Sequence, residues 1–156
     1  MDQRLTSEWK RGSEHRIRVL IEDPEAAWFD DFTRFRAAGF EAAACTGPVA
    51  GATGDDAECP YAAGRKCALW EDADVVLCAL PLDDARCRVA LEGGRRHHPE
   101  TPVVLVRAPR GPADPDLTLD TELIEGTYAL RMPASVDARI QALRAAVWWH
   151  AASVTR

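Results

Sequence analysis

Between Asp74 and Leu80 the chain reads DVVLCAL, in which six consecutive residues, Val75 to Leu80, are apolar. A run of that length has strand character and no polar face, so both its faces must be covered. That is the situation of a central strand in a parallel sheet with helices on either side. Two other runs share the character: RIRVLIE from Arg16 to Glu22, and PVVLV from Pro102 to Val106. A fold that accepts all three has to lay strands side by side and cross over between them with helices.

The intervening segments supply those crossovers. Asp23 followed by Pro24 is an N-cap with proline at the first helical position. Trp28, Phe32 and Phe35 then recur at helical spacing until Gly39 stops the helix. Phe40 to Cys45 (FEAAAC) reads as a second strand, closed by Thr46-Gly47-Pro48. From Gly47 to Asp72 the sequence is rich in Gly, Asp and Pro, with room for a short helix around Tyr61 to Trp70. Asp83 caps a helix through Leu91, with Leu82, Ala85 and Val89 on one face and Gly93-Gly94 as its end; His97-His98 then fall in a solvated loop. Pro109, Pro112 and Pro115 make a stiff loop into a helix near Leu117 to Glu125. Thr127 to Met132 is the last strand. Ser135 caps a helix carrying Val136, Ile140, Leu143 and Val147 at helical spacing. The expectation is an open, parallel, five-stranded α/β sheet with helices on both faces and its chemistry at the strand carboxyl ends.

Several function classes are disfavoured. The 156 residues suit one domain, over 16–152, preceded by an extension over 1–15. A net charge of -6 does not suit a nucleic-acid binder, and no apolar run approaches the roughly 20 residues of a membrane span. The first residues lack a secretory pattern, so a cytoplasmic protein is expected. Lysine occurs only at Lys10 and Lys66 against many arginines and alanines, the signature of a GC-rich bacterial genome. There is no glycine-rich phosphate loop, no nucleophile elbow and no evident nucleophile with its base, so a non-enzymatic role is expected.

The order of these motifs resembles the response-regulator receiver family, whose flavodoxin-like sheet has strand order 2-1-3-4-5. The resemblance covers about Arg16 to Ala152. It rests on the acidic pair Glu22-Asp23 closing strand one, the DVVL run of strand three, the TPVVLV run of strand four, and Pro133 after strand five. It implies magnesium at Glu22 and Asp23. The phospho-accepting aspartate of the family falls on Ala79, its Ser or Thr on Arg107 and its Lys on Met132. Phosphoryl transfer needs the nucleophile together with metal and charge-stabilising groups, so magnesium is not expected to be retained. Asp23 serves equally as a helix cap, and Arg107 either meets the acidic pair or is solvated. The reading is a degenerate, phosphorylation-independent receiver-like module that works through protein contacts.

The segment carrying Cys45, Cys59 and Cys67 stands where the second helix of that family would lie, and a cysteine-containing loop is expected to replace it. Three converging thiols would suit zinc or an iron-sulfur cluster, or a reversible Cys59–Cys67 disulfide, which makes a metal or thiol-redox sensor the alternative function. Simple packing is the bland reading, and it is the one assigned to Cys78 and Cys87. Trp148 and Trp149 close the last helix, where an exposed indole would serve a protein partner or a homodimer through the C-terminal helix face, or the pair would simply cover the domain's edge.

Overall fold

The computed structural model describes residues 16–22, 28–45, 47–48, 59–80, 85–107, 126–131 and 135–154. Five strands, β1 (Arg18–Glu22), β2 (Glu41–Cys45), β3 (Val75–Cys78), β4 (Val103–Arg107) and β5 (Thr127–Arg131), form one sheet. All pairings are parallel and the order is β2-β1-β3-β4-β5, as expected. The helices are α1 (Trp28–Ala37), α2 (Ala68–Asp72), α3 (Ala85–His97) and α4 (Val136–Val154). The caps at Asp23 and Asp83, Leu82 and the helix expected near 117–125 lie outside the described residues.

The central strands bury both faces, and alternate residues feed two separate clusters. Val19, Ile21, Val75, Leu77 and Val104 pack with Phe35 of α1 and with Ile140, Leu143 and Ala146 of α4. Leu20, Val76, Cys78, Val103 and Leu105 pack with Tyr61, Trp70, Cys87, Ala90 and Leu91. β2 has alanine at three of its five positions yet pairs with β1 along its length, from Arg18 opposite Glu41 to Glu22 opposite Cys45. Pairing with a central strand outweighs the weak strand propensity of alanine. α1 stops at Gly39, whose φ of +92° only glycine adopts readily.

Two expectations are corrected in α3. The helix runs through Gly93 and Gly94 to His97, and it buries Cys87, Ala90, Leu91 and Gly94. Ala85 is exposed and Val89 only half-buried. The glycines do not end the helix; they flatten it. A Cβ at Gly93 would lie 2.4 Å from Cγ of Tyr61, and one at Gly94 would lie 2.2 Å from Cζ3 of Trp70. These two rings need the space. The histidines also depart from a solvated loop: His97 closes α3 and stacks on Tyr61 with centroids 6.0 Å apart, and His98 is buried.

Candidate functional site at the carboxyl edge of the sheet

Parallel pairing puts the last residues of the strands in one row. Glu22 of β1 lies opposite Cys45 on one side and Cys78 on the other. The Ala79 N–H donates to the Glu22 carbonyl at 2.7 Å. Arg107 ends β4 opposite Arg131 of β5; the Arg107 side chain, Asp23 and Met132 lie outside the described residues. Of the degenerate site positions, Glu22 and Ala79 are thus brought together at the middle of the edge.

The direction of Glu22 is set by strand periodicity. It follows Leu20 by two positions and so faces the layer containing α2 and α3. There the Trp70 Nε1–H donates to Glu22 Oε1 at 2.8 Å. Glu22 is 3% exposed, and its Oε2 has no hydrogen-bond partner among the described residues. Burial pushes the carboxyl up from 4.5 to about 7, against the opposing effect of the Trp70 hydrogen bond. Magnesium is a hard cation that keeps several waters and binds ionised, accessible oxygens in near-octahedral array. A desolvated carboxyl turned into an aromatic cluster does not fit that ion.

The segment over Glu22 is not loop alone. Residues 59–64 form a turn, and α2 supplies a short helix at Ala68–Asp72, slightly beyond the expected place. Tyr61 and Trp70 meet edge to face, with centroids 5.7 Å apart, and seat on Gly93 and Gly94. Cys67 belongs to the same cluster, while Cys45 and Cys59 are half-buried against it. The three cysteines therefore gather in one neighbourhood. All are free thiols, and among the described residues no three His, Cys, Asp or Glu side chains are arranged to hold a metal ion.

Burial, and then the neighbouring Glu22 charge, push Cys45 up to about 12; burial likewise raises Cys67. The Gly47 N–H donates to Cys45 Sγ at 3.3 Å. Such thiols stay protonated at neutral pH, and it is the thiolate that attacks disulfides and ligates metals. Cys78 is raised by its hydrogen bond with Cys87 and by burial, consistent with core packing for both.

Away from the edge, Trp148 and Trp149 are 68% and 52% exposed. Trp149 leans on Tyr128 of β5 with centroids 5.7 Å apart, so the patch is continuous with the sheet-facing side of α4. No helix among the described residues is long and apolar enough to cross a membrane. The residues that the sequence reading missed are Trp70, Gly93 and Gly94. One signal was present: Cys87, Ala90, Leu91 and Gly94 stand at i, i+3, i+4 and i+7, an apolar stripe that a glycine completes.

No protein-family model matches the chain, and no curated protein matches it. Solved structures do. A response regulator receiver protein from Sinorhizobium medicae WSM419 is 17% identical with TM-score 0.56, over 88% of this chain and 99% of that one. A CheY-like receiver domain from Methanospirillum hungatei JF-1 is 14% identical with TM-score 0.59, over 89% and 99%. A structure of adenylate cyclase from Rhodopirellula baltica is 14% identical with TM-score 0.61, over 90% and 94%. The chain thus has the five-stranded flavodoxin-like fold of response-regulator receiver domains.

Proposed function

We propose that this chain is a non-enzymatic signalling module of receiver fold that acts without phosphorylation, through protein contacts made by the Trp148 and Trp149 face. The observation that carries the reading is Glu22. At the end of β1 there is a buried carboxyl, hydrogen-bonded to Trp70 and one residue-pair away from an alanine where an acceptor would stand. An alanine has no nucleophile, and electrostatic stabilisation of a phosphoryl group needs accessible charge. Output is then left to surface, and two neighbouring exposed indoles are the kind of side chain that anchors protein interfaces.

The test is sedimentation velocity of the wild type and of Trp148→Ala/Trp149→Ala, each with and without acetyl phosphate and magnesium. The expected result is concentration-dependent self-association that acetyl phosphate leaves unchanged and the double variant weakens about tenfold or more, as loss of interface anchors does. Phosphate incorporation into the protein, or assembly indifferent to both indoles, overturns the proposal.

A thiol-based sensor is the second reading, supported by the gathering of Cys45, Cys59 and Cys67 beside Glu22. Metal analysis and an absorption spectrum on anaerobically purified protein, beside the Cys45, Cys59 and Cys67 triple Ser variant, separate it from the first. Stoichiometric metal or colour lost in the variant favours the sensor.

A further inference from the structure

β3 ends at Cys78, and the first turn of α3 carries Cys87. Cys78 is held from both sides. It stands opposite Glu22 of β1 and Leu105 of β4, and the residue after it, Ala79, donates its N–H to the Glu22 carbonyl. Cys87 reaches the same cluster from the helix layer. Both thiols are fully buried, and their side chains are joined by a hydrogen bond. A hydrogen bond from sulfur to sulfur sets the two atoms in van der Waals contact. Rotation about the Cα–Cβ bonds then carries them toward the about 2.05 Å of a disulfide. Packing accounts for two small apolar side chains at these positions; it does not call for sulfur facing sulfur across the junction of strand and helix.

We infer that Cys78 and Cys87 are a redox couple that hydrogen peroxide converts to a disulfide, stapling the first turn of α3 to the end of β3. One sulfur, as thiolate, attacks a peroxide oxygen and becomes a sulfenic acid as water leaves. The second sulfur displaces that hydroxyl, which leaves as a further water. Two thiols and one hydrogen peroxide thus give one disulfide and two waters, with two electrons passing from sulfur to the peroxide. Hydrogen peroxide is close to water in size, which suits it to a buried pair better than a bulky disulfide reagent. Burial keeps the thiols protonated, so the step is slow. The staple falls beside Ala79, where the receiver family would carry its phosphoryl group, and gives a module without an acceptor a covalent input of another kind. Neither the tryptophan face on α4 nor a metal at Cys45, Cys59 and Cys67 enters into it.

The experiment is hydrogen peroxide treatment of the full chain under native conditions, stopped with catalase. Remaining thiols are capped with N-ethylmaleimide in denaturant, and peptides are mapped without reduction by mass spectrometry. The expected product is a peptide pair linked through Cys78 and Cys87, two hydrogens lighter than the separate peptides and restored by dithiothreitol. The same link is expected in Cys45→Ser/Cys59→Ser/Cys67→Ser, in which these two are the only cysteines left. Closing the short loop between β3 and α3 should raise the thermal midpoint of that variant by about 5–10 °C, and Cys87→Ala added to it should abolish the rise. Three results overturn the staple: oxygen added to Cys78 or Cys87 in place of the link, both thiols recovered intact after Cys45 and Cys59 have oxidised, or a link that fails to raise the midpoint. The wild-type peptide map decides the first two even where the triple variant does not fold.

Discussion

Glu22 is a carboxyl group placed among aromatic rings and thiols, and ionising it there is costly. Its unfolded value is 4.5 and its folded value about 7. Below pH 4.5 the proton is bound in both states. Between 4.5 and about 7 the folded chain keeps a proton that the unfolded chain has released, so stability falls as pH rises, by about 3 kcal/mol in all, and then levels off. Glu22→Gln imitates the protonated acid and still accepts from Trp70. Urea unfolding at pH 5 and pH 8 should show the wild type losing stability over that interval relative to Glu22→Gln, with the variant the more stable at pH 8. Equal pH dependence in the two proteins would mean that Glu22 is ionised at little cost. The acid itself was legible in the sequence, as the end of a strand; its orientation was not. Whether Glu22 meets water or Trp70 depends on a residue 48 positions away.

At the scale of elements, α3 shows how a glycine pair can be read in the wrong sense. Glycine inside a helix costs about 1 kcal/mol relative to alanine, which is why Gly93-Gly94 reads as a stop. Here that cost is offset by the approach of two rings that no side chain would permit. The same reading assigned the buried face to Leu82, Ala85 and Val89; Leu82 lies outside the described residues, Ala85 is exposed and Val89 is half-buried. The buried stripe instead runs through Cys87, Ala90, Leu91 and Gly94. Gly94→Ala therefore makes a sharp test. Propensity alone would stabilise the helix, but a Cβ 2.2 Å from Cζ3 and 2.4 Å from Cη2 of Trp70 forces the ring off its seat. The expected net result is a loss of about 1–2 kcal/mol, seen as a lower thermal midpoint, since overpacking costs more than the propensity gain. A higher midpoint would show that Trp70 shifts at little cost. α4, in contrast, was fully legible: Ile140 and Leu143 are buried, and Val136 and Val147 are half-buried against the same cluster, because long side chains at regular spacing carry the helical signal.

At the scale of the whole molecule, the two clusters share one sheet, and β3 is the strand through which they are joined. Leu77, 1% exposed, sits between Ile21 of β1 and Val104 of β4. Leu77→Ala should cost about 2–5 kcal/mol, by lost transfer energy and the cavity left behind, with helix signal and buried-thiol protection lost in one transition. A local effect confined to the α1 and α4 layer would mean that the layers fold separately. By itself the sequence determined the alternation of strands and helices, the parallel sheet, the terminal helix, and the absence of a carboxylate at Ala79, because these are written in periods of two and 3.6 residues or in the identity of one side chain. Only the tertiary structure decided that Glu22 turns inward to Trp70, that Gly93 and Gly94 seat aromatic rings, that His98 is buried, and that Cys45, Cys59 and Cys67 gather at one cluster. Each of these depends on segments far apart in the chain meeting at close range, and no local period records where a crossover will lie once the strands have paired.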